Sequence, residues 1–452
     1  MDLVLRLISE FTNWLWSYPL LAAVVGGGII IACRLRFIQF RKFAYINKQT
    51  FGRIFSPSSI GQGTVTPFQA ACTALASSIG AANIVVVPTI IFTAGPGAVF
   101  WMWLAALLGQ STKFAEIVLG IKYRQLNQAG EYVGGACYYM EKGIGGRIGK
   151  ICGFLVAFFF MIEILPSITL QTHSAVKPLV ELGFNRYSAV GIIFILVFLV
   201  VYGGVKRIGK VTEKLVPLMA VVYFFFGLII LLVNFREIPQ ALYNIIVGAF
   251  NPAAVGGGVT GGSILTVMKA GVARGVYSNE AGMSSAPYGH GAATTDHPVR
   301  QGFWGIFEVT VDTLIVCTMS AMITLVSGVW QNDAFKDIAV YKAFSLQYGA
   351  LGEYIVSFSL FLFVLSTIIV IVYYVEKLAE YCFGYLMSKI MRMSACAMII
   401  LAAFLSMDNA GILLDFTLGM VVLFNIIGVV YMSGQVKRET DEFFKQPQYY
   451  EK

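Results

Sequence analysis

The chain is poor in charge and nearly empty of histidine. Of its 452 residues 12% are Asp, Glu, Lys or Arg, and three are His, where a soluble domain carries about 25% charged residues. It contains no G-x-S-x-G, no H-E-x-x-H and no paired histidines, so the nucleophile–base and metal constellations of hydrolases are missing. The seven cysteines (33, 72, 137, 152, 317, 382 and 396) form no C-x-x-C pair and fall mostly in apolar runs. They read as small core residues, not as disulfides or zinc ligands. No soluble output domain of a sensor fits in the short tail after Gly434. The net charge of +8 does not indicate nucleic acid, because the basic residues sit in short loops and form no continuous patch.

What the chain does have is apolar length. Hydrophobic residues make up 58% of it and the mean hydropathy is +0.76, the signature of a polytopic, all-α membrane protein. Eleven apolar runs are long enough to span: roughly 15–33, 65–93, 98–121, 151–178, 187–205, 211–233, 250–273, 299–328, 351–376, 393–407 and 412–433. The first is read as a retained helix and not a signal peptide, since Asp2 and Glu10 precede it and Arg34-Leu35-Arg36 stops it. Loops on one side (34–64, 122–150, 206–214, 274–300, 377–392 and 434–452) hold 24 of the 32 Lys and Arg residues, against 6 on the other. This bias places the amino terminus outside and the carboxyl terminus in the cytoplasm of a plasma (inner) membrane.

Two spans are interrupted by small residues: Gly80-Ala81-Ala82-Asn83 in the second and 255–263, with Gly256, Gly257 and Gly258, in the seventh. Each opens a block of five spans, and blocks of odd number have opposite orientations. The chain then divides into an N-terminal helix with a basic loop (1–60), two inverted five-span halves (61–233 and 234–433) and a tail (434–452). Paired interruptions of this kind mark secondary transporters, whose substrate site lies where two discontinuous helices meet. Small residues that merely allow close helix packing are the alternative.

An unwound segment offers definite chemistry. Amides at the start of the second half-helix attract a carboxylate, which makes those of Ala81, Ala82 and Asn83 candidate donors. Carbonyls at the end of the first half-helix, at Ala76 and Ile79, suit Na⁺. Glu163, Ser167, Gln171 and Ser174 share one face of the fourth span. Gln171 can bind a ligand's ammonium or bond a neighbouring helix. Glu163, an intramembrane acid, can carry a proton, recognise an amine or pair with a lysine. Ser366 and Thr367 can add hydroxyls to a cation site or bond back to their own helix.

The stretch Gly95-Pro96-Gly97-Ala98-Val99-Phe100-Trp101-Met102-Trp103, with Lys113, Glu116 and Lys122-Tyr123-Arg124 downstream, resembles the alanine or glycine:cation symporter family. So do residues 271–282 (Gly271 to Gly282), His297-Pro298-Val299-Arg300-Gln301-Gly302 and Asp312 to Thr318, and the likeness covers nearly the whole chain. The resemblance implies a LeuT-type 5+5 inverted repeat with one extra N-terminal helix, and Na⁺-coupled import of a small neutral amino acid, alanine or glycine. It implies a substrate carboxylate on the amides of Ala81 and Ala82, Gln171 beside the ligand and the glycines 256–258 as the opposite wall. It also implies a sodium site joining the carbonyls of Ala76 and Ile79 to the hydroxyls of Ser366 and Thr367. The motif Ser278-Asn279-Glu280-Ala281-Gly282 is expected to shape a helix end. No cofactor beyond the coupling ion and no obligate protein partner is expected. The chain departs from the family's Gly-Thr-Gly-Asn at Ala81 and Ala82, carries His173 where Asn is expected, and adds Glu163. These departures bear on the substrate, and Glu163 and His173 open a proton-coupled alternative.

Overall fold

A chain in hydrocarbon must satisfy its backbone groups within each segment, and helix does so. The computed structural model describes residues 2–54, 60–181, 183–251, 263–404 and 410–451, and 85% of it is helical. The main helices are α1 (Asp2–Ser17), α2 (Pro19–Arg34), α3 (Pro67–Ser78), α4 (Val87–Ala94), α5 (Ala98–Lys122), α6 (Gly146–Glu181), α7 (Arg186–Val201), α8 (Gly204–Val233), α9 (Ile238–Phe250), α10 (Ile264–Asn279), α11 (Ala286–His290), α12 (Pro298–Val309), α13 (Thr318–Val326), α14 (Ala350–Phe383), α15 (Tyr385–Leu401) and α16 (Ala410–Lys445). Among the described residues seven stretches are long and apolar enough to cross a membrane. The pair α3 and α4, with their intervening turn, makes an eighth, bent by 52°.

Burial sorts these helices. Almost all of α14 is enclosed, with Phe363, Tyr373 and Tyr374 at 2% exposure or less, so it forms the axis of the bundle. By contrast α8 turns Leu218, Val221 and Phe225 outward, the side chains of a lipid-facing helix. The expected boundaries shift at several helix ends: α8 begins at Gly204, and α16 runs on to Lys445. The helix of the tenth run starts at Tyr385, not near 393. The basic loop 34–64 contains two short helices, Ile38–Arg41 and Phe43–Gln49. The interruption expected at 255–263 lies, but for Ser263, outside the described residues; α9 ends at Phe250, α10 begins at Ile264, and a further break falls at Glu280–Ser285, before α11. Arg274, counted above with a loop, lies inside α10.

At the basic end of the bundle the segments preceding α3 and following α11 are joined. Thr64 N–H donates to Ala292 O (2.7 Å) and Thr294 N–H to Val65 O (2.8 Å). Arg124, just past α5, donates to the carbonyls of Gln62 (2.6 Å), Ala293 (2.6 Å) and Gly291 (3.3 Å). It also lies over the ring of Tyr132, on β2 (Tyr132–Val133), which pairs with β1 (Gln125–Leu126). Both half-broken spans are therefore tied together at one end by backbone bonds and by one guanidinium that spans them.

Replacing Arg124 with alanine leaves only the backbone bonds of that tie, and the loss expected is roughly 1.5–3 kcal/mol, the worth of a charge-assisted hydrogen bond. Thermal unfolding in detergent should show a lower midpoint for Arg124→Ala, only partly recovered by Arg124→Lys, which cannot fork across several carbonyls.

Candidate functional site

The interruption of the second span is built by side-chain competition for the backbone. α3 starts with a capping box, Thr66 with Gln69, and runs regularly until Ile79, whose N–H still reaches Leu75 O (2.8 Å). The next donor is diverted: Gly80 N–H bonds to Asn83 Oδ1 (3.1 Å) and not to Ala76 O. Asn83 N–H turns to Gly80 O (3.3 Å), so Ile79 O also loses its intrahelical partner. A π-helical turn, Ala82–Val86, then leads into α4, where Pro88 lacks the N–H that a regular helix would use. Two carbonyls, of Ala76 and Ile79, are thus released at the end of one half-helix, and Ala81 and Ala82 present the first amides of the next.

The seventh span breaks by different means. Glu280, Gly282 and Ser284 all have positive φ (56°, 94° and 65°), a conformation that glycine adopts freely and the other two only under constraint. The constraint comes from other helices. Glu116, on α5, accepts N–H bonds from Gly282 (3.2 Å) and Ser284 (3.1 Å), and also bonds the Asn425 amide of α16. Lys113, one turn earlier on α5, donates to Asn279 O (2.7 Å), the last residue of α10.

The two interruptions touch. Ser77 Oγ donates to Glu280 Oε2 (3.0 Å), which also receives Ser285 Oγ–H. Asn83 Nδ2 donates to Ser278 Oγ (3.1 Å) and to Asp312 Oδ1 (2.7 Å). Asp312 further receives the hydroxyls of Ser278 (2.6 Å) and Thr313 (2.7 Å). It sits in a π-helical stretch, Thr310–Cys317, that bridges α12 and α13, and such wider turns recur at functional sites.

Of the residues singled out from the sequence, Ile79, Gly80, Asn83, Gln171 and Thr367 come together. Thr367 Oγ1 donates to Ile79 O (3.4 Å) and to Phe363 O of its own helix (3.0 Å). A methyl added at Gly80 would meet Thr367 Oγ1 at 3.1 Å and Gln171 Nε2 at 3.4 Å. Gln171 Oε1 is buried without a hydrogen-bond partner among the described residues. Ser366 points elsewhere, donating to Phe363 O (2.8 Å) and lying against Met219 Sδ (3.5 Å) of α8. Glu163 is buried on α6, where the acids Glu280 and Asp415 act on it, and His173 is half-buried on the same helix. Gly256, Gly257 and Gly258 lie outside the described residues. Sequence reasoning assigned no role to Glu116 or Asp312; Glu280, expected at a helix end, is the C-terminal cap of α10. The available signal was their acidity inside apolar runs.

The full chain, residues 1–452, matches the family model described as the sodium:alanine symporter family. The chain belongs to the sodium:alanine symporter family. It is 45% identical over 455 residues to the transporter YflA of Bacillus subtilis, covering 100% of this chain and 96% of that one. To the sodium/alanine symporter AgcS of Methanococcus maripaludis it is 36% identical, over 98% of each chain. Among solved structures it is similar to MhsT in complex with L-phenylalanine, with a TM-score of 0.59 at 12% identity over 82% of this chain and 89% of that one. It is similar also to a manganese transporter of Eremococcus coleocola, with a TM-score of 0.57 at 15% identity over 83% and 81%. The fold is that of LeuT-like transporters, and the family's members are transporters, not enzymes.

In this family member Gly80→Ala should leave folding intact and reduce substrate binding at least tenfold, because the new methyl presses on Thr367 and Gln171. Asn83→Ala should in addition destabilise by about 1–3 kcal/mol, the cost of a buried donor left unpaired. Binding by calorimetry and unfolding by denaturant separate the two effects.

Proposed function

We propose that this protein is a sodium-coupled symporter that imports a small neutral amino acid, alanine or glycine, by alternating access. The observation that carries the reading is the diversion of Gly80 and Asn83 N–H away from the carbonyls of Ala76 and Ile79. The Ile79 carbonyl and the Thr367 hydroxyl, 3.4 Å apart, match the edge of an octahedron with bonds of roughly 2.4 Å, suited to Na⁺, which has the ionic size of calcium. On this reading Ala76, Ile79 and Thr367 hold the ion, while Ser366 backs Thr367. Ala81 and Ala82 hold the carboxylate through their amides, with Asn83 shaping the turn. The unpartnered Gln171 Oε1 accepts from the ammonium. Small cargo follows from the methyl of Ala82 and from the tight approach of Gln171 and Thr367 to Gly80.

The same reading sets the protein in the plasma membrane with eleven spans. α7, α15 and the pair α10–α11 join the eight stretches already described, and the two five-span halves are inverted, with the amino terminus outside. The joined end held by Arg124 is then cytoplasmic, and opening inward requires that it part. Coupling follows if ion and substrate favour the same state, a reciprocal effect. Two relatives support this: AgcS is named a sodium/alanine symporter, and GlnT of Bacillus subtilis, 32% identical, a probable sodium/glutamine symporter.

Proton coupling is the second reading, favoured by one observation: Glu163 is buried in the middle of α6, and the acids Glu280 and Asp415 act on it. Purified protein in liposomes distinguishes the two. Labelled alanine or glycine should accumulate under an inward Na⁺ gradient and not in choline. Accumulation driven by a pH gradient alone, abolished by Glu163→Gln, would favour the proton instead.

A further inference from the structure

The amides of the seventh-span turn already have a carboxylate, and it belongs to the chain. Glu116 is wholly buried, yet among the described residues no cation lies within ion-pair distance of it. The ion pair of Lys113 is made with Glu308, at 3.5 Å. The Glu116 carboxylate is met by donors instead: Gly282 N–H, Ser284 N–H and the Asn425 amide. Asn425 also donates to Gly282 O (2.8 Å) and accepts the Tyr139 hydroxyl, so the acceptor is held from both sides. On the same face of α5, Lys113 supplies a positive charge to the carbonyl end of α10, where a cation is favoured. One helix therefore offers an ammonium and a carboxylate, three residues apart, to the two sides of one break.

We propose that Glu116 is an internal ligand of the seventh-span turn. It occupies, with the chain's own carboxylate, a binding site for small carboxylates, and so confines free amino acids to the second-span break. This rests on the transport reading only in its last clause. Glu116 acts here as a positioning residue: its carboxylate fixes Glu280, Gly282 and Ser284 in their positive-φ turn, and through Glu280 the contact with Ser77.

The consequence is chemical rescue. Glu116→Ala leaves the two N–H groups unpaired and opens a space of carboxylate size. Thermal unfolding of the purified protein is compared in sodium formate and sodium chloride at equal concentration. The wild type should melt alike in both. The alanine variant should melt lower in chloride and regain at least half of the loss in formate, and its uptake of labelled alanine should rise at least threefold. No formate response in the variant, or an equal response in the wild type, overturns the proposal. If the wild type itself shows no uptake, the transport reading fails while the melting comparison still decides this one. Should Glu116→Ala not fold, Glu116→Gln serves: its amide sets a donor against a donor, so its midpoint should fall, and a midpoint equal to the wild type overturns the proposal.

Discussion

The hydrogen bond from Gly80 N–H to the Asn83 carboxamide is the contact on which the arrangement turns. Inside a bilayer a helix can be interrupted only if each released backbone group finds another partner. Asn83 supplies one within three residues, and it anchors itself to Ser278 and Asp312. The bend of the second span and the release of Ala76 O follow from that one residue, which also joins the seventh span alongside Ser77.

The two interruptions solve the same problem in opposite ways. The second span satisfies itself locally and keeps backbone groups in reserve. The seventh span borrows from neighbours, and its amides are already spent on Glu116. Such an asymmetry gives a transporter one adaptable element and one that is pinned. Where the two meet, at Ser77 with Glu280 and Asn83 with Ser278, a change at either break is felt at the other.

Much of this was legible in the sequence, and the omissions have physical causes. Apolar length located most spans because hydropathy is a property of each segment alone. Gly80 to Asn83 was legible for the same reason: its glycine and its capping side chain are neighbours in sequence. The glycine break expected at 255–263 lies, but for Ser263, outside the described residues, and the turn at 280–285 is a separate break, expected from the sequence only as a helix end. Its cause lies in Glu116 and Asn425, each more than 140 residues away along the chain, so no local pattern could mark it. Ser366 and Thr367 looked equivalent as a pair. Adjacent helical positions point about 100° apart, and only Thr367 turns towards Ile79.

The central claim is that substrate and ion meet at the second-span break and not at the seventh. A high-resolution density map of the protein reconstituted with Na⁺ and alanine addresses it directly. The account requires the ligand carboxylate on the amides of Ala81 and Ala82, and an ion between Ile79 O and Thr367 Oγ1. A ligand carboxylate on Gly282 and Ser284, with Glu116 displaced, would contradict it.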